Sequence, residues 1–318
     1  MSKPTALDLF AGAGGLSLGL QRAGWVVDAV EWRTSAAQAH RLNVGPCELA
    51  DVEGWSPSRD FVLVSGGAPC ITYTAAGSGA GIEDPKGKLY EHLLRIAVEA
   101  HAQVVLLENT SWLPSMHERA LDVILGAFTS CGFSTGWSVL HAEDYGVPQA
   151  RHRMFIVGFT DPAAAESFEW PQPTHGDGCS KPLVTVRDAL GLRGKYATAR
   201  RLAQATVSKR GWWQGGRCID VDKSGWTVTT KNNADLLIHA DAVARRELER
   251  LHATMETGRT QKYADEGYRL CLRELALLQG FPAGFKFVGS EEEKHLQVGN
   301  AVPPRLGEVL GAAILAAI

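Results

Sequence analysis

The chain has 318 residues, 45% hydrophobic and 21% charged, enough to bury a core in one large domain, or one large and one small, and too apolar for a disordered or fibrous chain. Its six cysteines are scattered without a C-x-x-C pair, so neither a disulfide framework nor a structural zinc site is expected, no metal is expected, and a reducing, cytoplasmic setting fits. The net charge of −3 argues weakly against a nucleic-acid binder, yet from Lys181 to Lys223 ten basic residues stand against three acidic ones, leaving that segment locally +7.

The amino terminus, Met1-Ser2-Lys3-Pro4, enters a strand-like run at once, which argues against a signal peptide. Ala6 to Phe10, the glycine turn Ala11-Gly12-Ala13-Gly14-Gly15 and the amphipathic Leu16 to Ala23 read as strand, turn and helix, the opening of a nucleotide-binding βαβ unit. The next strand, Trp25 to Val30, ends at Glu31, where such folds bind ribose hydroxyls. Asp51 follows a further strand, so Asp8, Glu31 and Asp51 are expected at successive strand ends.

Phe61 to Val64 reads as a buried parallel strand running into Ser65-Gly66-Gly67-Ala68-Pro69-Cys70-Ile71-Thr72-Tyr73. A cysteine on a loop at a strand end is either a small buried thiol or, with its pKa lowered by its surroundings, a nucleophile. Gly77 to Gly87 has the composition of a mobile lid. A helix over Leu89 to Ala102 leads to a strand, Val104 to Leu107, that ends at Glu108-Asn109. A helix from Glu118 to Cys131 and a strand near Ser134 to Leu140 precede Gln149-Ala150-Arg151-His152-Arg153 and the strand Met154 to Phe159. If that stretch is extended, its two arginines point the same way.

From about Pro171 the long apolar strands stop and Pro, Gly, Arg and Lys rise; this is expected to be a second domain over 171–263, so the first is discontinuous, 1–170 and 264–318. The apolar C-terminal stretch, interrupted by Arg305 and Glu308, is expected as a terminal core helix and not a membrane span.

Asp8-Leu9-Phe10-Ala11-Gly12-Ala13-Gly14-Gly15, Glu31-Trp32, Pro69-Cys70, Glu108-Asn109, Gln149-x-Arg151-x-Arg153, Leu278-Gln279-Gly280-Phe281-Pro282 and Gly299-Asn300-Ala301-Val302-Pro303 together resemble, in order and spacing along nearly the whole chain, the motif set of DNA cytosine-5 methyltransferases of the bacterial type. The resemblance implies an α/β fold: a Rossmann-like methyltransferase sheet with helices on both faces, plus a smaller, irregular β-rich target-recognition domain at 171–263. It implies S-adenosylmethionine as methyl donor, held by Phe10, Gly12, Gly14, Gly15, Glu31, Trp32, Asp51, Pro69 and Asn300. It implies Cys70 as the thiolate that adds to C6 of a flipped-out cytosine, Glu108 as the acid at N3, Arg153 on O2, Arg151 on a flanking phosphate or the loop, and Asn109 as a brace for that loop. Duplex DNA is the implied substrate, with Lys86, Arg210, Trp213, Gln214, Arg217, Thr227, Thr229, Lys231 and Asn232 as candidate contacts, a monomer as the implied state and a cognate restriction endonuclease as a partner. Ala68, Ile71, the Tyr73-Thr74 pair, Lys86 and Thr110 depart from the family pattern. Ile71 matters most, because it removes a polar side chain beside the nucleophile.

A zinc nucleobase deaminase would need a cysteine where Tyr73 stands and an upstream H-x-E. A dinucleotide oxidoreductase would leave Cys70, Glu108 and the arginines unexplained. A tRNA cytosine-5 methyltransferase on the same scaffold and a non-catalytic DNA-binding relative stand as alternatives.

Overall fold

The computed structural model describes residues 3–68, 85–191, 217–218, 224–226, 236–238 and 268–318. Its seven-stranded sheet has the order β3-β2-β1-β4-β5-β8-β6, built from β1 (Thr5–Leu9), β2 (Val26–Glu31), β3 (Cys47–Leu49), β4 (Leu63–Gly67), β5 (Val104–Thr110), β6 (Ser134–His141) and β8 (His152–Phe159). The first five run parallel, whereas β8 is antiparallel to both β5 and β6. The reversal brings the start of β8 to the edge where β4 and β5 end, and the register pairs Arg153 with Thr110.

Central strands of such a sheet need cover on both faces, and all seven residues of β5 are buried. Alternation sends Leu7, Leu9, Val105 and Leu107 into one apolar cluster with α3 (Leu89–Glu99) and α5 (Glu118–Ser130). Ala6, Val104 and Leu106 turn to the other face, against α1 (Gly15–Ala23) and the C-terminal helix α10 (Pro304–Ala317). A Cβ on Gly19 would lie 2.2 Å from the Pro304 carbonyl oxygen, and one on Gly307 2.8 Å from that of Leu16. Glycine at both positions therefore lets the first and last helices cross backbone to backbone, and the expected terminal core helix is seen. No described helix is long and apolar enough to cross a membrane.

A third cluster joins α7 (Val186–Leu190), α8 (Leu272–Leu278), Phe281 and Val298 of α9 (Glu291–Asn300). Thus α7, though within 171–263, shares its core with the segment after that stretch. The other described pieces there are short: β11 (Leu236–Ile238) pairs with β9 (Arg217–Cys218) and with β12 (Tyr268–Arg269), while β10 (Gly225–Trp226) pairs with β7 (Gln149–Ala150).

Asp8 is the last residue but one of β1 and, at 1% exposed, is buried.

Candidate active site

The strand expected to deliver the nucleophile is present as β4. Cys70, Pro69 and Ile71 lie outside the described residues, as does the lid expected at Gly77 to Gly87 up to the 3-10 turn Pro85–Lys88. The site is therefore built from what surrounds the exit of β4. Gly67, its last residue, pairs in register with Glu108, and a Cβ at Gly67 would sit 2.9 Å from Glu108 Oε2. Glycine there leaves the carboxyl room at the strand end. Cys70 is three residues on, within about 11 Å of chain reach.

Glu108 is buried, and Arg153 Nε donates to its Oε1 at 2.9 Å. Two opposing forces act on this carboxyl. Burial raises its pKa above the usual carboxylate range, and the positive charges of Arg153 and Arg151 lower it by less. The outcome is an acid that holds its proton further toward neutral pH, beside a cation, at the end of a buried strand. Asn109 is buried next to it, with its Oδ1 accepting from the Thr110 amide; the Cys70 loop that it is expected to brace lies outside the described residues.

The two arginines do not act alike. Arg151 precedes β8, is 1% exposed and donates from Nη2 to the Gly299 carbonyl at 3.0 Å. That bond is a backbone brace on α9; the resemblance implies a flanking phosphate or the Cys70 loop as its partner, and the loop lies outside the described residues. Gln149 completes that brace: its Nε2 donates to Gln279 Oε1 at 2.6 Å and to the Leu278 carbonyl at 3.1 Å, and Gln279 Nε2 donates to the Ala301 carbonyl at 2.6 Å. Three motifs far apart in sequence are thus fastened by buried amides. The Gln149–Gln279 pair was not singled out from sequence.

At the first glycine turn the backbone is bent hard. Phe10 has φ +54°, unusual for a residue with a bulky side chain, and Gly12 and Gly14 have φ +56° and +99°. Glu31 ties the turn down: the Gly12 amide donates to its Oε2 and the Arg33 amide to its Oε1, both at 2.8 Å. Burial raises the Glu31 pKa, and these amides work against that shift. A Cβ on Gly12 would meet nothing within 4 Å, whereas one on Gly15 would lie 2.2 Å from the Val302 carbonyl oxygen. The turn therefore has open space on one side and the Asn300-Ala301-Val302 segment against the other. Trp32 is 61% exposed beside it, with the Arg33 guanidinium 5.3 Å from its ring centre. Asp51 is exposed, its Oδ1 accepting from the Glu53 amide, and Asn300 is exposed at the end of α9. An open, glycine-lined turn with a buried ribose-type carboxylate and an exposed aromatic suits an adenosine-bearing cofactor.

Beneath the turn lies a polar network that sequence reasoning missed. Ser17 Oγ is 2.5 Å from Asp8 Oδ2, the Ser65 hydroxyl donates to Asp8 Oδ1 at 2.9 Å, and His40 Nε2 is 3.0 Å from Ser17 Oγ. Burial pushes the Asp8 carboxyl up to about 7 and the His40 imidazole down to about 4. The signal available was an aspartate between Leu7 and Leu9 near the end of an apolar strand.

Burial also pushes the thiols of Cys47 and Cys271 up to about 12, so neither serves as a ready thiolate. Of the residues proposed for nucleic acid, Lys86 falls in the 3-10 turn and Arg217 in β9 by backbone; Arg210, Trp213, Gln214, Thr227, Thr229, Lys231 and Asn232 lie outside the described residues.

A family model described as "C-5 cytosine-specific DNA methylase" matches residues 5–316. The chain is 30% identical to the Type II methyltransferase M.NgoFVII of Neisseria gonorrhoeae, an alignment covering 99% of this chain and 87% of that one. It is 29% identical to the Type II methyltransferase M.FnuDI of Fusobacterium nucleatum, over 97% of this chain and 93% of that one. The structure of the Entamoeba histolytica methyltransferase EhMeth superposes with a TM-score of 0.69 at 13% identity, over 99% of this chain and 98% of that one, a likeness of fold.

Proposed function

The chain belongs to the C-5 cytosine-specific DNA methylases and is a DNA (cytosine-5)-methyltransferase; on that premise we propose that it methylates a flipped-out cytosine within a specific duplex sequence through a covalent Cys70 adduct, with S-adenosylmethionine as donor. The observation that carries this reading is the buried Glu108–Arg153 pair, set against Gly67 three residues before Cys70.

Cytosine C5 is too weak a nucleophile to take a methyl group unaided. The Cys70 thiolate adds to C6, its electron pair forming the S–C6 bond, and the ring's displaced charge moves toward N3. Glu108 donates its proton to N3 and accepts from the exocyclic amine, while Arg153 binds the O2 carbonyl and keeps the carboxyl in place. C5 becomes an enamine carbon. S-adenosylmethionine, when bound, supplies the electrophilic sulfonium methyl for it. Loss of the C5 proton to solvent then expels Cys70 and re-forms the C5–C6 double bond, and the N3 proton returns to Glu108, which restores the aromatic ring and the acid. Glu31, Gly12, Gly14, Gly15, Phe10 and Trp32 would hold the donor at the turn, with Asp51, Pro69 and Asn300 at its margins.

A base in a duplex cannot reach such a site, so it must leave the stack, at a cost of a few kcal/mol offset by contacts to the strand. The basic stretch 171–263 is the proposed target-recognition domain, since reading major-groove edges needs a separate module. The relatives' designation as Type II methyltransferases supports a role beside a cognate endonuclease. Tritiated methyl transfer to duplex DNA and to tRNA, read side by side, tests the substrate: label in DNA alone is expected, and label in tRNA alone would overturn the DNA reading. Bisulfite sequencing of DNA from an expressing host would then give the target sequence.

A further inference from the structure

His141 closes β6 and His152 opens β8, and the two are cross-strand partners at the last rung of the antiparallel pair. Their imidazole rings stack with centroids 3.8 Å apart and planes 18° apart. The 3-10 turn that leaves β6, Ala142–Tyr145, carries Glu143 back toward them, and Glu143 Oε1 lies 2.8 Å from His152 Nε2. One ligand atom from each of the three side chains lies within 4.8 Å of the other two.

Two observations make this more than a chance meeting of polar residues. The Glu143 side chain is only 14% exposed, and its Oε2 is buried with no hydrogen-bond partner among the described residues. A desolvated carboxylate oxygen left unpaired is costly, and a cation removes that cost. The stack as it stands keeps the two ring planes side by side, so binding requires the rings to turn about their side-chain torsions until a nitrogen of each faces the ion; both histidines are nearly half exposed, which leaves room for that turn and for an ion to enter from solvent.

The donor set selects the ion. Two imidazoles and one carboxylate suit zinc(II) and its borderline neighbours; calcium and magnesium favour six or more oxygens. Asp144 Oδ2, 3.8 Å from His141 Nδ1, is a candidate fourth ligand in place of water.

We infer that His141, Glu143 and His152 bind one transition-metal dication of the zinc class, clamping the end of β6 and the turn after it to the start of β8. The ion takes no part in the methyl transfer. His152 stands between Arg151 and Arg153, and strand alternation turns it away from the face on which Arg153 meets Glu108. The clamp lies behind the catalytic edge and steadies the strand that carries Arg153. The expectation of no metal rested on cysteine spacing; these ligands come together only through the β6–β8 register.

The test is a zinc titration of chelator-treated full-length protein against a chromophoric competitor, with thermal unfolding followed in parallel. Wild type is expected to hold one equivalent and to unfold at a higher temperature with zinc than without. His141→Ala and Glu143→Gln are each expected to weaken binding at least tenfold and to erase the thermal shift. Cobalt(II) in the same protein should show visible bands without the near-ultraviolet charge-transfer band of a thiolate ligand. Failure of wild type to retain an equivalent, equal retention by both variants, or a thiolate band each overturns the assignment; the cobalt spectrum of wild type decides the matter even if a variant folds poorly.

Discussion

Arg153 Nε and Glu108 Oε1 are 2.9 Å apart at the mouth of the sheet, yet burial outweighs the arginine and leaves the Glu108 pKa raised. In the proposed mechanism the pairing lets one residue serve both as an anchored group and as an acid. A fully exposed carboxylate beside arginine would be ionised and useless as a donor to N3; a buried one without arginine would have nothing to aim it.

The sign of the pH dependence follows. In the proposed mechanism the active form is protonated Glu108, so the single-turnover rate should fall as pH rises through its raised pKa. Arg153→Met removes the charge that lowers that pKa, so the alkaline limb should move to higher pH even as the absolute rate drops. Glu108→Gln cannot donate an acidic proton, and a loss of about 10²–10⁴-fold in rate is expected with DNA binding retained. A limb that stays put in Arg153→Met would count against the coupling.

The glycine turn separates space from strain. Gly12→Ala pays a left-handed backbone penalty of about 1 kcal/mol but meets no neighbouring atom, so its main effect should be on cofactor affinity, through the open space a methyl group would occupy. Gly15→Ala runs into the Val302 carbonyl and should chiefly lower the unfolding temperature. Calorimetric titration with S-adenosylmethionine and thermal melts on both variants check the contrast. Equal losses of affinity and stability in the two would contradict it.

For the network under the turn, one proton arrangement satisfies every contact with Asp8 and His40 both uncharged, the state that burial favours. His40 Nδ1–H donates to the Gly45 carbonyl, so Nε2 accepts the Ser17 hydroxyl proton, and Ser17 Oγ in turn accepts from a protonated Asp8. The two titrations then oppose each other. His40, neutral in the fold with its pKa down to about 4, loses stability for the protein as pH falls below 6.5. Asp8, with its pKa up to about 7, loses it as pH rises from 3.8. Urea unfolding between pH 4 and 6.5 should therefore show, relative to wild type, a stability that climbs with pH in Asp8→Asn and falls with pH in His40→Gln. The comparison with wild type cancels Glu274, which burial also pushes up to about 7.

The amide clamp invites a double-mutant cycle. Gln279→Ala leaves Gln149 and the Ala301 carbonyl short of a buried partner, an expected cost of about 1–3 kcal/mol, and Gln149→Ala should add little once Gln279 is gone. Additive losses would show that the two amides act separately.

Much of this was legible beforehand because it rests on short-range patterns. The apolar runs at Leu63-Val64 and Val104 to Leu107 mark buried strands, and Gly12, Gly14 and Glu31 mark the turn. What escaped depends on which residues a fold brings together. That β8 runs antiparallel, so that Arg153 meets Glu108 while Arg151 braces α9, follows from topology and not from the spacing of two arginines. Gln149 and Gln279 are 130 residues apart. The sequence places Asp8 at a strand end, but its burial against Ser17 and Ser65 depends on residues that only the fold brings together.

The central claim is the covalent step at Cys70, and duplex DNA carrying 5-fluorocytosine at the methylated position tests it most directly. Fluorine at C5 cannot leave as a proton, so after methyl transfer the Cys70–C6 bond should persist. A protein–DNA adduct that survives denaturation, requires the methyl donor and disappears in Cys70→Ala is the expected result. No adduct from wild-type protein that still binds both donor and DNA would contradict the mechanism.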